Sequence, residues 1–265
     1  MPVVITSRKN EIAAEAARLG LSASFRRERG EFLTEGARLC ADAAASGAEI
    51  RALFYTERAA EKYAEYLAPA VRAARKTFRI GPGVAELLSG TRTPQGVFCV
   101  CALPGEIREV RGMDPRKSYL ALENIQDPAN LGAALRTAEA LGAGGVVLGG
   151  SCCDAYSPKV LRASMGAVFR LPLYRAEDMA RAAGEMNAAG FSTFAAVPDR
   201  TALPVTRADF SGPCVAVVGN EGNGLRQETV RACSRAVTIP MAGRAESLNA
   251  SAAAVILMWE MTRGH

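Results

Sequence analysis

The sequence predicts an α/β chain in two parts. A small α/β domain spans residues 1–103, a linker spans 104–117, and a larger domain spans 118–265, with a mostly parallel sheet and helices on both faces. Three observations carry this. After residue 118, apolar strand-like runs alternate regularly with helical patterns, the signature of a parallel sheet. Between 104 and 117, Pro104, Gly105, Gly112 and Pro115 sit among alternating charges, the one convincing break in the chain. Before it stands a shorter set of strands and helices ending at Val97–Leu103.

In the first part, residues 7–19 read as an amphipathic helix with Ile12, Ala16 and Leu19 on one face, Ser7 as its cap and Gly20 just past its end. Glu31–Thr34 is a short strand and Gly36–Ala45 a helix. Ile50–Thr56 is a strand followed by a helical stretch to Leu67. Phe78–Ile80 and Val97–Leu103 complete the set. In the second part the expected strands are Tyr119–Ile125, Gly145–Leu148, Ser192–Val197, Cys214–Gly219 and Ala236–Ile239. The expected helices are Leu131–Leu141, Pro158–Ala163, Asp178–Ala188, Leu225–Ala232 and Ser247–Met261. Sheets of this kind place their ligands at the carboxyl ends of the strands.

Bulk properties narrow the chemistry. The 265 residues are 49% hydrophobic and 22% charged, ordinary for a soluble globular protein. The run Ala250–Trp259 is too short for a membrane span, and residues 1–10 lack the apolar core of a signal peptide, so a cytoplasmic location is expected. The 7 cysteines show no CxxC spacing, and the single histidine is His265, so no metal site is expected and histidine-based triads are excluded. The net charge is +5. Residues 1–103 hold 15 basic and 11 acidic residues, and the remainder 17 and 16, so most of the excess is N-terminal. Arg26, Arg27, Arg29, Arg72, Arg75 and Arg79 supply much of it, and arginine suits phosphate and stacked bases.

Four segments of the second part stand at strand ends or helix starts. In Asn124–Arg136, Pro128 holds Asp127 out of helix, Asn130 reads as the helix cap, and Arg136 follows about 1.7 turns later, beside the helix start or toward a neighbouring chain. Gly219–Gly224 is a glycine-rich loop after an apolar strand, with Glu221 in its middle and neither GxGxxG nor Walker spacing. Those absences argue against a dinucleotide-dependent oxidoreductase or a kinase. Ile239-Pro240-Met241 ends a strand, and Ser247 and Asn249 stand at the mouth of the last helix, where one would suffice as a cap. Ser157-Pro158-Lys159 through Ser164-Met165-Gly166-Ala167 offers Lys159, Arg162 and Arg170 near a small-residue turn.

Taken in order, Asn130-x5-Arg136, Gly219-x-Glu221-x-x-Gly224, and Ile239-Pro240-Met241 with Ser247-Leu248-Asn249 resemble the signature motifs of the SpoU/TrmH family in the SPOUT methyltransferase superfamily. Ser157-Pro158-Lys159 and Ser164-Met165-Gly166 match the stretch between. The resemblance covers about residues 118–262. Phe32-Leu33-Thr34-Glu35-Gly36 is similar to the RNA substrate-binding domain that often precedes this catalytic domain. Ala250 departs from the pattern, where a larger aliphatic residue is more usual.

The resemblance implies a C-terminal trefoil knot, a homodimer with the site completed across the interface, and methylation of a ribose 2′-hydroxyl in RNA by S-adenosylmethionine. The donor would lie against Val217, Gly219, Ile239, Met241 and Leu248. Arg136 would stand nearest the chemistry, with Asn130, Glu221, Ser247 and Asn249 around it. An always-charged guanidinium is a poor proton acceptor, so holding a phosphate and stabilising the developing alkoxide is the physically better role. Glu221 is left two roles, orienting Arg136 or accepting a ribose hydrogen bond. The separate N-terminal domain favours ribosomal over transfer RNA. The alternatives are a tRNA 2′-O-methyltransferase or a catalytically silent RNA-binding member of the fold. Neither DNA nor a membrane is expected as a partner.

Overall fold

The computed structural model of the chain describes residues 2–104 and 108–263. Gly105, Glu106 and Ile107 of the expected linker, and His265, lie outside the described residues. Contacts divide the chain into two compact units. One comprises Met1–Gly105 with Asp154–Phe169, the other Glu106–Cys153 with Arg170–His265.

In the first unit the elements run β1 (Val3–Ile5), α1 (Glu11–Leu21), α2 (Ala23–Arg29), β2 (Glu31–Glu35), α3 (Ala37–Ala45), β3 (Ile50–Tyr55), α4 (Glu57–Lys62), α5 (Ala64–Ala73), β4 (Lys76–Ile80), α6 (Pro82–Leu88) and β5 (Val97–Ala102). The strands form one sheet in the order β1-β4-β3-β5-β2. β1, β4 and β3 are parallel, and β5 runs antiparallel to both its neighbours. Its core is aromatic and aliphatic, with Phe54 and Phe78 stacked at 5.0 Å between ring centres.

Helix α1 starts later than its apolar pattern suggests. Asn10, not Ser7, caps it, accepting from the backbone N–H groups of Ile12 and Ala13. Ser7 instead closes a short turn by accepting from Lys9. Gly20 lies inside the helix, which ends at Ser22, and Ser22 in turn caps α2. The helical stretch after β3 breaks at Tyr63 and resumes to Ala73. Short apolar β1, and helix α6 opened by Pro82 at its first turn, are further elements that periodicity did not reveal.

In the remainder of the chain the elements are β6 (Arg108–Glu109), β7 (Tyr119–Glu123), α7 (Pro128–Ala140), β8 (Val146–Gly149), α8 (Pro158–Ala163), β9 (Leu173–Ala176), α9 (Met179–Ala188), β10 (Ser192–Ala196), β11 (Leu203–Pro204), β12 (Cys214–Val218), α10 (Gln227–Ala232), β13 (Arg235–Thr238) and α11 (Ala250–Arg263). The second sheet has the order β11-β13-β10-β12-β7-β8-β9-β6, and its pairings are parallel. β9 was missed because Arg175 interrupts a run of only 4 residues. Parallel pairing puts every carboxyl end along one edge, which is what the site uses.

Helix α8 and its flanks belong with the first unit for visible reasons. The Phe32 ring stands 5.0 Å from Tyr156 and 6.1 Å from Phe169. Arg26, only 4% exposed, binds Asp154 at 2.6 Å and donates to the Leu19 carbonyl at 2.6 Å. Arg26 is therefore a structural arginine and is withdrawn from the set available to RNA. No helix among the described residues is long and apolar enough to cross a membrane.

Candidate functional site

The site grows from the carboxyl ends of β7, β10, β12 and β13. At the end of β7, Glu123 is buried and Asn124 adopts φ +58°. The chain then turns into α7. Asp127 is the cap, accepting from the Ala129 N–H at 2.9 Å, and Pro128 is the first helical residue. Asn130 is thus inside the helix rather than its cap. Proline lacks an N–H and has a helix-ready φ, so it favours the first position of a helix over the approach to one.

Freed from capping, Asn130 is buried and joins three segments. Its amide donates to Glu221 Oε1 at 2.9 Å, and its oxygen accepts from the Asn249 amide at 2.9 Å. Glu221 also accepts from the backbone N–H of Gln126 and of Asp127, each at 3.4 Å. Burial pushes the Glu221 carboxyl up. The bonds from Asn130, from its own backbone N–H, and from Gln126 and Asp127 outweigh that and hold it below the ordinary glutamate range.

The Gly219–Gly224 loop is a closed turn. Asn220 and Gly224 exchange backbone bonds at 3.1 and 3.0 Å. The Asn220 side chain accepts from Gly222 and Asn223 and donates to the Asn124 carbonyl at 2.8 Å. A Cβ on Gly219 would lie 2.2 Å from the Gly224 carbonyl carbon and 2.3 Å from the Leu225 nitrogen, so only glycine fits. Gly224 takes φ +67°, closing the turn. Below the loop, Glu123 accepts from the Arg226 backbone at 3.0 Å, its guanidinium at 2.9 Å and the Thr229 hydroxyl at 2.8 Å. Arg226 reaches on to Asp178 at 3.1 Å. This anchor holds the loop to the start of α10, and the motif reading did not single out Glu123 or Arg226. The signal available was a carboxylate ending an otherwise apolar strand.

After β13, residues 240–248 make no hydrogen bond with any described residue, so their backbone donors and acceptors are open. The chain re-forms structure at Asn249, which caps α11 by accepting from the Ser251 and Ala252 N–H groups at 2.9 and 3.3 Å. Ser247 is not needed as a cap and is exposed.

A cavity of about 660 Å³ lies among these segments. Its walls include Gly219, Glu221, Ile239, Met241, Ser247 and Leu248, together with the ends of β10 and β12 and the first turns of α11. Val217 is fully buried in β12 and does not line it. Asn130 and Asn249 do not line it; Asn130 bonds Glu221, and Asn249 bonds Asn130. Arg136 is exposed on α7, is not a lining residue, and has no partner among the described residues. Glu221 does not touch the Arg136 of its own chain. The tight glycine turn, apolar walls and open backbone groups suit an adenosyl-type ligand recognised largely through main-chain bonds. Among the described residues no group of acidic, cysteine and histidine side chains is arranged to hold a metal.

Comparison with known proteins identifies the family of the chain. Residues 117–259 match the model of the SpoU rRNA Methylase family, and residues 17–99 match the MRM3-like substrate binding domain. The chain is 32% identical to the 23S rRNA (uridine(2479)-2′-O)-methyltransferase of Streptomyces viridochromogenes, over 98% of this chain and 91% of that protein. An AdoMet-bound rRNA methyltransferase from Sinorhizobium meliloti superposes with a TM-score of 0.86 at 31% identity, covering 98% of this chain and 97% of that one. The TrmH/SpoU tRNA modifying enzyme of A. aeolicus matches at a TM-score of 0.51 and 25% identity, over 59% of this chain and 79% of its own. The chain described here belongs to the SpoU rRNA methylase family.

Proposed function

We propose that this chain transfers the methyl group of S-adenosylmethionine to a ribose 2′-hydroxyl of ribosomal RNA. The observation that carries the reading is the convergence of three segments, near residues 219–224, 239–241 and 247–248, on one cavity of about 660 Å³. Likeness to rRNA enzymes extends over the whole chain, including the N-terminal part, whereas the tRNA enzyme matches 59% of it. That difference favours a ribosomal over a transfer RNA substrate.

The donor supplies an electrophilic methyl group on a sulfonium, so the protein's task is alignment and electrostatics. Gly219, Ile239, Met241 and Leu248 hold the donor through backbone and apolar contacts, with Val217 supporting them from the strand beneath. Asn130 and Asn249 fix Glu221, whose ionised carboxylate is placed to accept a ribose hydroxyl. Ser247, at the open rim, orients the target ribose. Arg136 binds a substrate phosphate and stabilises the alkoxide as it forms.

Because Arg136 lies outside the cavity of its own chain, it serves the site of a second copy in a homodimer. Two further observations support this: Trp259 is 56% and Val255 38% exposed on α11, which packs on α7. The trefoil knot, a division at residues 104–117 into RNA-binding and catalytic domains, and a cytoplasmic location without DNA or membrane partners complete the reading. The test is transfer of radiolabelled methyl to deproteinised ribosomal RNA, with the product mapped as 2′-O-methylribose. Label found on a base, or none transferred by a protein that binds the donor, would refute it.

A further inference from the structure

Glu35 ends β2, and its side chain is only 7% exposed. A carboxylate placed there needs several donors, and it has them. Oε1 accepts from the Ser89 hydroxyl at 2.6 Å and the Thr91 hydroxyl at 2.9 Å. Oε2 accepts from the Gly90 N–H at 3.1 Å and the Arg162 guanidinium at 3.5 Å. The far end of the same loop is held too, because Gln95 Oε1 accepts from the Ala37 N–H at 3.0 Å. The loop 89–95 is therefore pinned at both ends to the β2–α3 corner, and Arg162 ties α8 to the same carboxylate.

Around this pin stand cations that nothing neutralises. Arg38 is in the first turn of α3, beside the bonded Ala37. Arg92 follows Thr91 directly. Lys159 is three residues before Arg162 and so shares its face of α8. Arg38, Arg92 and Lys159 are exposed and have no hydrogen bond or ion pair with any described residue. Arg51 and Arg75, at the opposite end of the sheet, differ in this respect, since each is paired with a glutamate. Phe32, the aromatic residue at the corner, is buried at 1% exposure and is taken up by packing against Tyr156 and Phe169.

We infer that Arg38, Arg92, Lys159 and Arg162 form a phosphate-binding surface for the RNA backbone, held in shape by the Glu35 pin. The identity of the ligand as RNA rests on the function proposed above. Cations spread over three elements suit contacts to backbone phosphates, which grip shape and charge rather than sequence. Pinning matters because a free loop would have to be ordered on binding, which weakens association. Choice of nucleotide is left to the cavity.

The test is filter binding of deproteinised bacterial 23S ribosomal RNA to the full chain, from about 50 to about 300 mM KCl. Combined Arg38→Gln, Arg92→Gln and Lys159→Gln is expected to make the log K against log salt slope shallower by about 2 to 3, since each lost phosphate contact removes roughly 0.7 to 0.9. An unchanged slope in a folded variant overturns the surface. For the pin, Glu35→Gln is the sign test. Removing a negative charge alone would tighten binding, whereas loss of the pin weakens it, so tighter or equal binding overturns that part. If Glu35→Gln does not fold, combined Ser89→Ala and Thr91→Ala decides: it changes no charge, and should weaken binding several-fold at every salt with the slope kept. Donor titration is measured on every variant and should be unchanged. Failure of the wild-type protein to methylate any RNA would sink the enzyme reading while leaving these slopes to judge the surface by themselves.

Discussion

Asn249 and Asn130, 119 residues apart, share a hydrogen bond of 2.9 Å that ties the cap of the last helix to the first motif. The Asn249 oxygen faces the free N–H groups of α11, and its amide faces Asn130, which passes the connection to Glu221. One side chain thus sets both where α11 begins and where Glu221 is held.

These two roles of Asn249 can be separated. Asn249→Ala loses both and should cost about 1 to 2 kcal/mol for the cap, with weaker donor binding. Asn249→Asp keeps the cap but removes the donor to Asn130. It should retain most of the melting temperature while still losing donor affinity by calorimetric titration. Equal donor affinity in both variants and the wild type would disconnect Asn249 from the site.

Arg136→Ala should abolish methyl transfer and leave donor binding intact, because the residue lines no part of the cavity. Mixing this variant with one deficient in donor binding, such as Gly219→Ala, should restore partial activity if the arginine acts on a second copy. A mixture as inactive as its parts would place the arginine with its own chain.

Gly219→Ala puts a methyl 2.2 Å from the Gly224 backbone, so the turn has to open. Overpacking of this kind costs about 1 to 3 kcal/mol. The melting temperature should fall, and donor affinity should fall further than Asn249→Ala lowers it. Unchanged affinity would mean that this turn does not shape the donor pocket.

Glu123 is 1% exposed, and three donors converge on it. Glu123→Leu strands the Thr229 hydroxyl and the Arg226 N–H, for about 1 to 3 kcal/mol. Chemical denaturation measures the loss directly. A variant as stable as the parent would show that the anchor contributes no net stability.

The pH dependence follows from Glu221 and Asp178, both held below the ordinary carboxylate range. Asp178 owes this first to the Arg181 N–H and then to Arg226. A folded-state value below the unfolded one means the stabilisation is complete above the unfolded value, near 4.5 for glutamate and 3.8 for aspartate, and disappears as pH falls through the folded values. Melting temperature should therefore show no loss from these groups between about pH 5 and pH 8, and an acid loss that Glu221→Gln reduces. Loss already complete at pH 5 would contradict the assignment.

Much of the site was legible because its requirements are local. A glycine-rich turn after a strand and an asparagine before an apolar helix each leave a mark at one position. Asn130 was misread as a cap because Asp127 and Asn130 are both acceptable caps, and only the position of Pro128 in the first turn separates them. The loop 240–248 offered no periodicity, so Met241, Ser247 and Leu248 could be assigned only from the motif resemblance, and what packs around the loop is visible only in the fold.

Local chemistry therefore determined the alternation of strands and helices, the glycine turn and the order of the motifs. Partnership across long separations was decided by tertiary packing alone: Glu221 with Asn130, Glu123 with Arg226, and Glu35 with Arg162. The physical reason is that a buried carboxylate takes whichever donors the packed sheet edges bring within about 3 Å, and no linear spacing encodes which ones those are.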